Sequence, residues 1–338
     1  MNIAVIGAGA IGSVVAGYLS KAGCDVTLIG KKEQVDAIAR NGLAIKGARG
    51  NETVQLRAKT RLDREFELVI FTVKTQDIEA AYADNSEFLD NAVVLTTQNG
   101  VQADNILSTH FEYDKIISSI VMFGATYTKP GEVTFNFEGD WIIGKPLAPN
   151  DATVQKIAAV LKKAFNVVIS SNIMGMKWLK LFVNFNNCLP ALIGKSMQET
   201  FADMDFCRLS IELLKEGVSI VQKAKITLLS LPQFPVERIY GLTSMPLEQS
   251  AGIINKTLTT LSKEPLYGSI LQSIMRGRAS EIDYINGEVV LLAKHVGATA
   301  PLNGRVVDLI HEVERKGKFF NADEIKKEFE ALSASSHQ

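Results

Sequence analysis

Short apolar runs alternate with longer amphipathic stretches over the first half of the chain, and then the runs stop. Asn2–Ile6, Asp25–Ile29, Leu68–Val73 and Ala92–Thr97 are dense in apolar residues, as strands buried on both faces of a parallel sheet are. Lys115–Val121 and Val167–Ile169 read as further strands, and Val133–Phe137 with Trp141–Ile143 suggests an antiparallel edge. A helix runs to Leu19, and residues 151–165 carry Val154, Ile157, Val160, Leu161 and Phe165 on one stripe. From about residue 171 the rhythm is helical only. Leu209, Leu213, Leu214, Val218, Val221 and Ala224 form one series; Ile282, Ile285, Val289, Leu292, Ala293 and Val296 form another. The pattern predicts an α/β domain over 1–170, with a doubly wound, mostly parallel sheet. An all-helical domain over 171–338 packs on it, with the ligand cleft between the two.

Composition narrows the function. With 46% hydrophobic and 22% charged residues, the chain can bury a full core. Its 36 basic and 37 acidic residues leave a net charge of −1, which argues against a general role on nucleic acid or anionic membranes. Cys24, Cys188 and Cys207 show neither metal spacing nor a disulfide framework, which fits a reducing cytoplasm. The N-terminus lacks a basic leader, and no apolar run reaches membrane-span length. The tail Ser333–Gln338 is expected to fray.

The first apolar run ends on Gly7-Ala8-Gly9-Ala10-Ile11-Gly12 and leads into a helix. Strand, glycine turn and helix are what a dinucleotide pyrophosphate needs. Gly7 permits the turn, Gly9 lets the phosphates approach the backbone, and Gly12 lets the helix pack against the strand. Free N–H groups at the helix start face the phosphates. The end of the second strand reads Leu28-Ile29-Gly30-Lys31-Lys32-Glu33. An acid there would hold ribose hydroxyls, whereas a base accommodates a 2′-phosphate. Lys31 therefore favours NADP(H), against the plainer reading that Lys31 and Lys32 start a solvated helix.

Chemistry-bearing residues concentrate at a few places. Read as one helix, Met176–Leu192 puts Lys180, Asn184 and Asn187 at i, i+4 and i+7, a polar line on an apolar rod. A lysine buried there would have a lowered pKa, as a general acid near neutral pH requires. Lys177 competes for the role; Asn184, one turn away, favours Lys180. Downstream, Ser269-Ile270-Leu271-Gln272 precedes Arg276-Gly277-Arg278 and Glu281 to Gly287. There Ser280 or a neighbour could cap a helix with Glu281 and Asp283 in its first turn, which is the structural alternative for Glu281. Lys74-Thr75-Gln76 and Gln98-Asn99-Gly100 follow strand ends, where the cleft of a doubly wound sheet lies.

Together these segments resemble the ketopantoate reductase family over roughly residues 1–315. The most specific match is Arg276-Gly277-Arg278 leading into Glu281-Ile282-Asp283-Tyr284-Ile285-Asn286-Gly287. Trp178-Leu179-Lys180-Leu181, Gly124-Ala125 with Pro130-Gly131, and Pro301-Leu302-Asn303 add to it. The resemblance implies an N-terminal Rossmann domain and a helical domain of the 6-phosphogluconate dehydrogenase C-terminal type. The implied activity is NADPH-dependent reduction of 2-dehydropantoate to pantoate, toward pantothenate and coenzyme A. It implies Lys180 and Glu281 as catalytic residues. Asn184, Asn187, Ser269 and Asn99 become substrate contacts. Gly7, Ala8, Gly9, Ala10, Ile11, Gly12, Lys31, Lys74, Asn99 and Glu281 become cofactor contacts. A cytoplasmic enzyme, with pairing into a homodimer possible, is the corresponding expectation.

Two positions depart from the family pattern. Cys188 stands where many members have a second asparagine, with Asn187 one place earlier. Leu266 stands where an asparagine often serves the substrate hydroxyl. These departures leave open a reductase of another branched 2-oxo acid. A non-catalytic NADP(H)-binding sensor is the alternative from a different class.

Overall fold

The first apolar run is strand β1 (Asn2–Ile6) of a computed structural model that describes residues 1–335. In chain order it is followed by α1 (Ala10–Lys21), β2 (Asp25–Ile29), α2 (Lys32–Asn41), β3 (Leu43–Gly47), β4 (Glu52–Val54), β5 (Arg57–Lys59) and β6 (Leu68–Phe71). Then come α3 (Ile78–Ala83), β7 (Val93–Thr96), α4 (Gln102–Leu107), β8 (Ile116–Val121), β9 (Gly124–Lys129), β10 (Glu132–Phe137), β11 (Trp141–Gly144), α5 (Ala152–Leu161) and β12 (Val167–Ile169). Eight strands form one sheet in the order β12-β11-β8-β7-β6-β1-β2-β5. Its neighbours are parallel except β8 and β11.

The period of two along β1 explains the double winding. Ile3 and Val5 face a core shared with Val14, Val15 and Leu19 of α1 and Val154, Ile157 and Leu161 of α5. Ala4 and Ile6 face the opposite core, with Ile78, Ala103 and Leu107. Strands buried on both faces must be apolar throughout, which is why these runs do not alternate.

A second sheet, in the order β4-β3-β10-β9, corrects the expectation for Val133–Phe137. That segment is no edge of the main sheet; it pairs in parallel with β3 and antiparallel with β9. Only Trp141–Gly144 makes the antiparallel addition. Leu43, Ile45, Val133 and Phe135 join the core that contains α1, so α1 is covered on two sides. The apolar residues all round Ala10–Lys21 reflect this. A Cβ on Gly17 would lie 2.5 Å from Ile45 Cδ1.

The chain divides into two compact units, Met1–Met174 and Gly175 onward. The second unit is built of helices: α6 (Ile173–Asn184), α7 (Cys188–Ile193), α8 (Met197–Phe201), α9 (Met204–Lys223), α10 (Glu237–Ser244), α11 (Leu247–Thr259), α12 (Ser269–Met275), α13 (Asn286–His295), α14 (Pro301–Lys316) and α15 (Ala322–Ser335). The stripe of α9 buries Leu209, Leu213, Leu214, Val218 and Val221. Helix α15 runs through Ser335, and Ser336–Gln338 of the expected frayed tail lie outside the described residues. Among the described residues no helix is long and apolar enough to cross a membrane.

Candidate functional site

In the first unit, the predicted residues gather at the C-terminal ends of adjacent parallel strands. Gly7 takes a φ of +119°, open to glycine, and its N–H donates to the Ile29 carbonyl at 2.9 Å. A Cβ on Gly12 would lie 1.9 Å from the Gly7 carbonyl oxygen. Gly9 is the opposite case, since a Cβ there would meet no protein atom within 4 Å. It is also the N-cap of α1 and offers no side-chain cap. The first N–H groups of this twelve-residue helix therefore receive no side-chain cap from their N-cap residue. Ala8, Ala10 and Ile11 complete the loop and are half-buried. A glycine cradle at a capless helix start fits a dinucleotide pyrophosphate.

The neighbouring strand ends are laced to this loop. Chain order reverses between β1 and β6, which makes their C-terminal ends the topological switch point. Thr72 Oγ1, just past β6, donates to the Gly7 carbonyl at 2.7 Å. Gln98, just past β7, donates its amide to the carbonyls of Phe71 and Val73, both at 2.9 Å. Lys74 and Asn99, both half-buried, are thereby held on adjacent turns. Beyond β2, Gly30 lets Ala8 approach, since a Cβ on Gly30 would lie 2.3 Å from that of Ala8. Lys31 follows as the exposed N-cap of α2. Lys32 points to Asp36 in a 2.9 Å ion pair. Sequence reading took Thr72 for a strand residue. A polar residue closing an apolar run beside a glycine turn was the available signal.

In the second unit, the structure changes the predicted stripe. Met176–Leu192 is not one helix: α6 ends at Asn184, and a 3-10 turn, Phe185–Asn187, precedes α7. Three residues at about 120° instead of 100° swing Asn187 by about 60° off the line of Lys180 and Asn184. The turn brings Asn187 against Gly268, the N-cap of α12, where a Cβ would lie 2.5 Å from Asn187 Oδ1. Ser269 is the next residue, exposed at the helix start. Lys177 is 3% exposed, and Lys180 is half-buried as a residue while its amine is desolvated.

Lys180 nonetheless has the predicted electrostatics. Desolvation of its amine, followed by the neighbouring Lys177 charge, lowers its pKa to about 8, and the Glu281 carboxylate opposes the fall. Glu281 therefore bears on Lys180 from a distant part of the chain. It does so from a different setting than expected. Ser280 starts no α-helix: its Oγ accepts the Ile282 N–H at 3.3 Å at the head of a 3-10 turn, Ile282–Tyr284, and α13 begins at Asn286. The cap account holds only for that short turn, where Glu281 is the N-cap residue without a side-chain cap bond and Asp283 lies in the first turn.

The two departing positions are also placed. Cys188 is fully buried, its thiol pushed up to about 12 by burial, and Sγ donates to the Phe185 carbonyl at 3.0 Å. Leu266 is half-buried. Its N–H donates to Gln198 Oε1 at 2.9 Å, and its carbonyl accepts from Met197 N–H at 2.8 Å.

Comparison with known proteins follows this geometry. Residues 3–148 match the family described as "Ketopantoate reductase PanE/ApbA", and residues 172–314 match its "C terminal" part. The chain belongs to the ketopantoate reductase PanE/ApbA family. It is 30% identical to a 2-dehydropantoate 2-reductase of Pyrococcus horikoshii, over 94% of this chain and 99% of that protein. A crystal structure of a PanE/ApbA family ketopantoate reductase from Ralstonia eutropha JMP134 matches with a TM-score of 0.79 at 26% identity, covering 94% and 99% of the two chains. D-mandelate dehydrogenase, solved with NADH and anilino(oxo)acetate, shares the fold with a TM-score of 0.80 at 23% identity, over 94% and 99%. The ketopantoate reductase fold accounts for both units.

Proposed function

We propose that this chain reduces 2-dehydropantoate to (R)-pantoate with NADPH; its Pyrococcus relative is named a 2-dehydropantoate 2-reductase. The observation that carries the reading is the Lys180 amine, held at a pKa of about 8 with Glu281 as its counter-charge. The hydride for C2 is the chemistry that a bound reduced nicotinamide supplies. Gly7 to Gly12 would hold its pyrophosphate, Lys31 its 2′-phosphate, and Lys74 and Asn99 the part nearer the switch point.

Lys180 Nζ polarises the C2 carbonyl oxygen and delivers a proton to it as negative charge develops. A donor near pKa 8 is protonated at neutral pH and still gives up its proton readily. Glu281 keeps that proton in place until it is needed, and also touches the substrate or cofactor. Asn184 on α6, with Asn187 and Ser269 brought together at the start of α12, supplies hydrogen bonds for the substrate carboxylate and hydroxyl.

Leu266 favours a second reading, a reductase of a more apolar 2-oxo acid, because its side chain offers no hydrogen bond where a hydroxylated substrate wants one. Steady-state rates with 2-dehydropantoate and a panel of 2-oxo acids, each with NADPH and NADH, separate the two. Lys180→Ala should lower kcat about 10²–10⁴-fold with whichever acid is turned over. Near-normal turnover in that variant refutes the assignment.

A further inference from the structure

Glu281 lies between two residues that are both fastened to α14. Before it, the Ser280 N–H donates to Glu314 Oε1 at 2.7 Å. After it, Asp283 Oδ1 lies 2.9 Å from His311 Nε2. His311 Nδ1 lies 3.0 Å from Glu314 Oε2, so one imidazole joins both fastenings. The segment needs such ties. Between the end of α12 and the start of α13 it contains a single 3-10 turn, and Gly277 takes a φ of +64°. Its internal bonds include Ile282 N–H to Ser280 Oγ at 3.3 Å, Tyr284 N–H to the Glu281 carbonyl at 3.0 Å and Ile285 N–H to the Ile282 carbonyl at 3.2 Å, none of them part of an α-helical ladder. A segment without a helical ladder opens easily unless it is tied laterally.

We propose that His311 is a positioning residue. By bridging Asp283 and Glu314 it fastens Ser280–Asp283 to α14 and so holds the Glu281 carboxylate toward Lys180. The inference rests on the reading of Glu281 given above and extends it to a residue outside the site. The charged groups that face the imidazole are Asp283, from the 3-10 turn, and Glu314, from its own helix. Burial disfavours the imidazolium, but the bonds to Asp283 and Glu314 outweigh it and raise the His311 pKa above 6.5. The fastening is at full strength below the ordinary imidazole pKa. It weakens as pH rises through the raised value.

The test reads Lys180 directly on the full-length chain: the pH dependence of its labelling by an amine-reactive reagent, quantified by mass spectrometry. Glu281 raises the Lys180 pKa, so Glu281→Gln should move the labelling midpoint to lower pH. His311→Gln and Asp283→Ala should move it the same way, and neither should shift it further in the Glu281→Gln background. Asp283 is 54% exposed, so Asp283→Ala carries the test if His311→Gln does not fold. In parallel, both variants should lose roughly tenfold or more in kcat/KM, the scale of a misplaced site group. An unmoved midpoint in both, with Glu281→Gln shifted, overturns the role of His311 and leaves the reading of Glu281 intact. An unmoved midpoint in Glu281→Gln overturns both.

Discussion

Thr72 and Gly7 are joined by a hydroxyl-to-carbonyl bond of 2.7 Å that ties the end of β6 to the glycine turn after β1. Thr72→Val keeps the shape and removes the donor, which leaves the Gly7 carbonyl short of a partner. The expected cost is about 1 kcal/mol, seen as a lower melting temperature and weaker NADPH binding in a fluorescence titration. Binding at wild-type strength would show that the turn holds its shape without Thr72.

Gly9 and Gly12 separate what the ligand needs from what the fold needs. Gly12→Ala places a methyl against the Gly7 carbonyl, where backbone must move, so both melting temperature and cofactor binding should fall. Gly9→Ala meets no protein atom. Its melting temperature should stay near wild type while NADPH affinity drops about tenfold or more, since 1.4 kcal/mol of steric conflict suffices. Undiminished affinity in Gly9→Ala would place the pyrophosphate elsewhere.

The two charges near Lys180 act with opposite sign, and pH profiles should show it. The reaction needs the protonated amine, so kcat/KM should fall as pH rises past about 8. Lys177→Met removes the repelling charge and should move that alkaline limb to higher pH. Glu281→Gln removes the attracting charge and should move it to lower pH. Limbs that move together, or not at all, would mean that another group sets the profile.

Lys31 is exposed at the start of α2, and Lys32 is engaged with Asp36. The 2′-phosphate reading therefore falls on Lys31. Lys31→Asp should lower kcat/KM with NADPH about tenfold or more, the scale of one charge-assisted bond, and should spare or improve the value with NADH. Equal losses with both coenzymes would assign Lys31 no part in discrimination.

Both the parallel strands and the glycine turn could be read from residue order alone. Each rests on neighbours within a few positions: an apolar run for a strand with two buried faces, glycines where φ and close packing demand them. The placement of Lys74 and Asn99 on the turns after β6 and β7 was readable for the same reason. Val133–Phe137 was read as a strand yet placed in the wrong sheet, because a period of two says which residues turn inward and nothing about which strand is alongside.

The sequence by itself determined which segments are strands and helices in outline, where the glycine cradle lies, and that Lys177 and Lys180 share one apolar helix. Tertiary structure decided the rest. A 3-10 turn broke the predicted stripe after Asn184, Asn187 moved to the start of α12, and Lys177 was buried as well. Glu281 came to bear on Lys180, and His311 came to bridge Asp283 and Glu314. Periodicity encodes local backbone geometry, whereas a pairing of charges far apart in the chain follows from packing that no local pattern records.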